Sequence, residues 1–345
     1  MKRILFAGLL ATILFTACTK QNDRRVVIFS FDGLRWQELF TGADSALVAD
    51  IRFVKDTAAL KDVFWKDTPE ARREALMPFY WSYIPEHGYL IGNRYKNSLM
   101  QVSNAMHFSY PGYSEMFTGY PDDGRVKSNA DVPNPNHTVL EAIQEDPRYN
   151  GKVLVYCSWE TIRNAVNAQR AGIPTQLRRT GHNLVNIEGL DIVDIERDAI
   201  TLSGALTSLK KDHPEVLYIG VGDTDKWGHW DRYDNYLKAI HVQDAYIREI
   251  VNFCESDPFY KGKTTYLMTC DHGRGYGEQF VDHDSSIPGS DKTWFIAFGA
   301  GVPVKGETTD NGPYYTKQFA ATIAKVLGVD FTPDNGEKPE PFEIN

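Results

Sequence analysis

The apolar residues of this chain gather in short unbroken runs rather than in an alternating pattern. The first, V-V-I-F-S-F at residues 26–31, is apolar and β-branched or aromatic but for one serine. A strand buried on both faces of a parallel sheet reads this way, whereas a half-exposed strand alternates with period two. Comparable runs follow at 153–157 (V-L-V-Y-C), 215–221 (E-V-L-Y-I-G-V), 264–270 (T-T-Y-L-M-T-C) and 294–298 (W-F-I-A-F). Each gives way to glycine or polar residues: Asp32-Gly33, Gly222-Asp223 with Asp225 beyond, Asp271-His272-Gly273, and G-A-G-V-P.

Helical patterns separate these runs. Leu237, Ile240, Ile247, Ile250 and Val251 recur at helical spacing over 233–254, and Thr68-Pro69-Glu70 starts a helix that continues through Leu76. The alternation predicts an α/β fold with a parallel sheet. Residues 40–106 exceed what a simple crossover needs and predict a helical insertion covering one side of the site. The 172–200 region reads as a hairpin or a lid, and residues 336–345 as a polar tail.

Lys2 and Arg3 precede an apolar segment, Ile4 to Phe15, too short and too N-terminal to favour a membrane-spanning helix. Thr16-Ala17-Cys18 resembles the end of a bacterial lipoprotein signal, which implies lipidation at Cys18; a plain cleaved signal peptide is the alternative. Both imply export to the cell envelope, with membrane contact through a lipid anchor only. Residues 19–25 then read as a linker, and 26–335 as one large domain. Cys157, Cys254 and Cys270 are odd in number and widely spaced, so they predict buried thiols rather than disulfides. A formal charge of −9 excludes a basic nucleic-acid surface, but not an anionic substrate held through metal ions.

The polar residues at the run ends carry the candidate chemistry. They are Asp32, Asp225 with His229 in D-K-W-G-H, Asp271-His272 in C-D-H-G, and His283 in V-D-H-D, with Asp223 the substitute should Asp225 be misassigned. Carboxylates and imidazoles crowded at neighbouring strand ends call for cations, and these are the donors of hydrolytic Zn²⁺ sites. Ser109 stands ahead of Tyr110-Pro111 in H-F-S-Y-P-G-Y-S-E-M-F-T-G, where it is either a helix cap or a nucleophile at a helix N-terminus.

The order of these motifs resembles the alkaline phosphatase superfamily, closest to its type I phosphodiesterase/nucleotide pyrophosphatase branch. F-S-F-D-G-L-R, S-Y-P-G-Y-S-E-M-F-T-G, D-K-W-G-H and C-D-H-G carry the likeness, over residues 26 to about 330. It implies a three-layer α/β/α architecture and two divalent ions, taken as Zn²⁺. Asp225, His229 and His283 would hold one; Asp32, Asp271, His272 and the nucleophile Ser109 the other. Asn129, in K-S-N, stands where the branch places an Asn that binds a phosphoryl oxygen. The implied activity is hydrolysis of phosphate mono- or diesters, with a phosphorylated small molecule or nucleotide-like substrate.

Three positions depart from the branch. Ser replaces its usual Thr, Gly112-Tyr113 replace Asn-His and so change the wall beside the nucleophile, and the N-terminal substrate region diverges. Three alternatives stand beside this reading. A phosphomutase of the superfamily would need a large inserted domain. A sulfatase would need Arg where Tyr113 follows Ser109-x-Pro111. A surface lipoprotein that only binds a ligand would need no chemistry at all.

Overall fold

A computed structural model describes residues 23–177 and 196–345. Cys18, the leader and most of the 172–200 region lie outside the described residues. In chain order the elements are β1 (Arg25–Phe31), α1 (Trp36–Thr41), α2 (Thr57–Phe64), α3 (Pro69–Leu76), α4 (Pro78–Tyr83), β2 (Gly88–Ile91) and β3 (Met100–Gln101). Then come α5 (Ser109–Thr118), α6 (Val139–Glu145), β4 (Val153–Cys157), α7 (Glu160–Ala165), β5 (Thr175–Leu177), α8 (Glu196–Asp212) and β6 (Val216–Val221). The chain closes with α9 (Asp223–His229), α10 (Tyr233–Ser256), β7 (Thr264–Cys270), β8 (Phe295–Gly299), β9 (Gly306–Glu307), β10 (Tyr314–Tyr315) and α11 (Gln318–Leu327).

The main sheet runs in the order β5-β4-β6-β1-β7-β8-β2-β9. Side chains of β1 alternate between two cores, as strands covered on both faces require. Val27, Phe29 and Phe31 pack with Leu202 of α8 and with Ile240 and Ile247 of α10. Val26 and Ile28 join Phe117 of α5 and Ile323 of α11 on the opposite face. The result is the three-layer α/β/α arrangement with a mostly parallel sheet.

Register decides where the site falls. In the parallel pairings Phe31 stands opposite both Val221 of β6 and Cys270 of β7. Asp32, the start of α9 and Asp271-His272 therefore emerge together from the carboxyl edge of three adjacent strands, where open α/β sheets build their sites.

Several expectations need correction. The run at 294–298 reads as one more parallel strand, yet β8 lies antiparallel to β7. Between Cys270 and Phe295 the chain makes only a short 3-10 turn, Gly277–Val281, and so lacks the crossover that a parallel neighbour needs. The 40–106 insertion does supply α1 to α4, but it also threads β2 into the main sheet beside β8 and β9. Four residues, G-Y-L-I, are too few to show a period in sequence. The tail at 336–345 is not simply polar, because Phe342 and Ile344 are buried and the Phe342 ring stacks on Phe295 at 3.9 Å.

Candidate active site and metal centre

Ser109 opens α5, and Phe108, in extended conformation, is the capping residue. The serine is thus the first helical residue rather than the cap, and its hydroxyl turns to the site. Its Oγ lies 3.3 Å from Asp32 Oδ1 and 3.3 Å from His272 Nε2, with all three side chains buried. Pro111, in the first turn, has no N–H to leave unsatisfied. Tyr110 N donates to Asn129 Oδ1 at 2.9 Å, which fixes the Asn129 amide and leaves its exposed Nδ2 open beside the helix N-terminus.

Asp225 and His229 lie four residues apart on α9 and so share one helical face. His229 Nε2 is 3.2 Å from Asp225 Oδ2 and 3.0 Å from His283 Nε2, and His283 Nε2 is 3.4 Å from Asp225 Oδ1. The three side chains of this set come together. So do those of the other: His272 Nε2 is 3.3 Å from Asp32 Oδ1 and 3.4 Å from Asp271 Oδ2. His272 bridges the two, because its ligand atom falls within 4.8 Å of the Asp32–Asp271 group and also of the Asp225–His283 group. The His272 and His283 rings stack with centroids 3.8 Å apart. Asp223 is drawn instead into a buried network, where its carboxylate accepts Asp198 N.

Backbone carbonyls aim the imidazoles. His283 Nδ1 lies 2.9 Å from His107 O and His272 Nδ1 lies 2.8 Å from Gly273 O, so each donates there and turns the lone pair of Nε2 inward. Burial lowers His272 to about 4; burial and then His272 lower His283 to about 3, so both rings are neutral. Burial pulls His229 down as well, but the Asp225 carboxylate outweighs it and raises that group. Burial, then the charge of Asp225, raises Asp32 to about 7; burial and then Asp32 push Asp271 well above the usual carboxylate range. Burial also disfavours ionised Asp225, yet Arg274, His229 and His283 together hold it well below that range.

These observations fit bound cations. Asp271 Oδ2 is buried and has no hydrogen-bond partner. Orphaned carboxylate oxygen in an interior is costly. Two imidazole Nε2 atoms meet at 3.0 Å, where a shared proton or a cation must separate the lone pairs. Oxygen and nitrogen donors in this mixture suit Zn²⁺ and similar divalent ions.

Arg274 is one residue that sequence reasoning missed. Its guanidinium is fully buried, donates to Asp225 Oδ1, and reaches the carbonyls of Phe280 at 2.6 Å and Val281 at 2.5 Å. It ties α9 to the segment that carries His283. Two glycines make room: a Cβ on Gly228 would sit 2.6 Å from Arg274 Cζ, and one on Gly33 would sit 3.1 Å from its Nη1. An Arg directly after Asp-His-Gly was the available signal. Glu115 was missed too. Buried in α5, it accepts Ser103 N and Oγ, Asn104 N and Nδ2, and Lys317 N, and so anchors the loop before Ser109.

The structure also corrects the reading of Gly112-Tyr113 as a wall of the substrate pocket. A Cβ on Gly112 would lie 2.3 Å from Asp271 O, so glycine is what lets α5 pack against the end of β7. Tyr113 is wholly buried in the core beside Met116 and Phe117. Both positions serve packing beneath the site.

No family model and no curated protein matches the chain. Solved structures do. A putative sulfatase from Bacteroides thetaiotaomicron superposes with TM-score 0.64 at 12% identity, over 92% of this chain and 76% of that one. The lipoteichoic acid synthase LtaP from Listeria monocytogenes gives 0.57 at 9%, over 90% and 73%. A mutant of the alkaline phosphatase PafA gives 0.53 at 12%, over 92% and 98%. The chain shares an alkaline phosphatase-like fold with these structures. The neighbours include sulfatases as well as phosphatases, so the fold alone does not choose the ester.

Proposed function

We propose that this chain is an exported, two-metal phosphoric-ester hydrolase that works through a covalent phosphoserine at Ser109. The observation that carries the reading is the Ser109 hydroxyl, held at a helix N-terminus between Asp32 and His272 beside a second donor set of Asp225, His229 and His283. Among the described residues no helix is long and apolar enough to cross a membrane. Export and anchoring at Cys18 rest on the leader sequence.

Ser109 Oγ attacks phosphorus and gives its proton to solvent, while the bond from phosphorus to the leaving oxygen breaks and that oxygen takes a proton from solvent. Asn129 Nδ2 donates to a non-bridging oxygen, and the N-terminus of α5 favours the charge that builds there. Water then attacks the phosphoserine, releasing Ser109 and either inorganic phosphate or a phosphomonoester. Divalent ions held by the two sets, Zn²⁺ by the donors present, would lower the pKa of the attacking hydroxyl and stabilise the leaving oxygen.

Phosphate is preferred to sulfate because Tyr113 stands where the maturation motif of sulfatases has Arg, and Tyr113 is buried core. The test assays p-nitrophenyl phosphate, bis-p-nitrophenyl phosphate, a p-nitrophenyl nucleotide diester and p-nitrophenyl sulfate, before and after chelation. Turnover of a phosphate ester is expected, restored by Zn²⁺ after chelation and lowered ~10³-fold or more in Ser109→Ala and Asp271→Ala. Turnover of the sulfate alone, or full activity in either variant, refutes the reading. No turnover with metal shown to be bound favours a binding lipoprotein.

A further inference from the structure

A cleft of about 410 Å³ lies between α1, the turn at 41–45, the start of α3 and the turn at 93–96, and Ser109 is not in its lining. Five residues separate its Gln37 from Asp32, so their Cα atoms lie within ~18 Å. Gln37 lines the cleft and is nine-tenths buried, yet neither its amide oxygen nor its amide nitrogen has a hydrogen-bond partner. An unpaired buried amide in a folded protein asks for a guest that both donates and accepts. The broad terminal torsion of glutamine lets the amide turn toward one.

The charges of the walls cancel, with Arg72, Arg73 and Lys96 set against Asp44, Glu70 and the neighbouring Glu307. Lys96 Nζ lies 2.6 Å and Arg73 Nη1 3.1 Å from Glu307, and Asp44 lies 3.7 Å from the buried Arg35 guanidinium. Arg72 stacks on Trp65 at 4.5 Å and donates to Lys66 O at 3.0 Å. Walls with no net charge suit a guest that carries none. Tyr95, which lines the cleft, is 75% exposed, and its ring stands 5.2 Å from the Trp36 ring. Nine of the thirteen lining residues are polar, which suits a hydroxyl-rich guest better than a flat aromatic base, whose slot is apolar.

We propose that this cleft binds a neutral sugar residue of a glycan or glycoconjugate. The C–H face of the sugar lies against Tyr95, and adjacent hydroxyls pair with both ends of the Gln37 amide. The site is independent of the ester chemistry at Ser109, so it stands or falls separately from the activity proposed above.

The test measures binding of methyl β-glucoside, methyl β-galactoside and N-acetylglucosamine to the purified full chain by titration calorimetry, with AMP and inorganic phosphate as contrasts. Millimolar affinity for at least one sugar is expected. It should weaken tenfold or more in Gln37→Leu and in Tyr95→Ala, and stay unchanged in Ser109→Ala, with melting temperatures checked for each variant. The proposal is overturned by no binding of any of the three sugars. It is equally overturned by affinity unaltered in both cleft variants, or by AMP or phosphate binding that depends on Gln37 when sugars do not bind.

Discussion

Gly112→Ala adds one methyl group where α5 crosses the end of β7. The new Cβ would lie 2.3 Å from the Asp271 carbonyl oxygen, 2.9 Å from its carbonyl carbon and 3.1 Å from its Cβ. Ordinary contact begins near 3.4 Å, so about 1.1 Å of separation is missing, and the obstacle is backbone rather than a flexible tip. Either α5 or the strand end must yield. The helix carries Ser109 three residues earlier, and the strand end carries Asp271 and His272, so any yield opens the gap between nucleophile and partners. Misplacement by ~1 Å costs on the order of 10²-fold in rate. Overpacking costs ~1–3 kcal/mol, against which alanine gains ~1 kcal/mol over glycine inside a helix. Stability should therefore fall by only ~0–2 kcal/mol, a few degrees of melting temperature, while kcat/KM falls ~10²-fold. Steady-state kinetics on the responsive p-nitrophenyl ester, beside a thermal melt, checks both. A variant within threefold of wild-type kcat/KM would refute the argument that Gly112 sets the position of Ser109.

Two further outcomes follow from buried charge. Arg274→Met removes the cation that offsets Asp225, and breaking a buried pair in this way costs ~3–5 kcal/mol. Bound metal supplies replacement charge, so the loss of melting temperature should be larger in chelator than in Zn²⁺; an equal loss in both would sink the charge-balancing role. Burial raises Asp244 to about 7, against the bonds it accepts from Phe79 N and Tyr80 N. The folded value exceeds the unfolded one, so the folded state keeps a proton that the unfolded state releases between ~pH 4 and 7. That contribution is complete below ~pH 4 and is lost as pH rises through about 7. Thermal melts from pH 5 to 8 should show a downward slope in wild type that Asp244→Asn flattens; parallel slopes would contradict it.

Much of the site was legible because its residues sit where strand grammar places them. Asp32 and Asp271-His272 each follow a run that ends in the structure one residue before them. Asp225 and His229 stood out in D-K-W-G-H just beyond another run, and the structure puts both on α9. Arg274 escaped because an arginine after a strand end reads as surface, and its burial depends on Gly33 and Gly228, distant in sequence. Gly112-Tyr113 was misread for a related reason: a one-dimensional motif does not say which face of α5 meets the end of β7.

The sequence by itself determined the doubly covered strands and the order of the motifs at their ends, because burial of apolar runs and chain-local spacing are local physics. Only the tertiary structure decided the reversed direction of β8, the entry of β2 into the sheet and the packing of Phe342 on Phe295. The same holds for the bridging place of His272 and the ion pair of Arg274 with Asp225. Each of these depends on which distant segments compete for the same edge, face or charge, and that competition is resolved only when the whole chain packs.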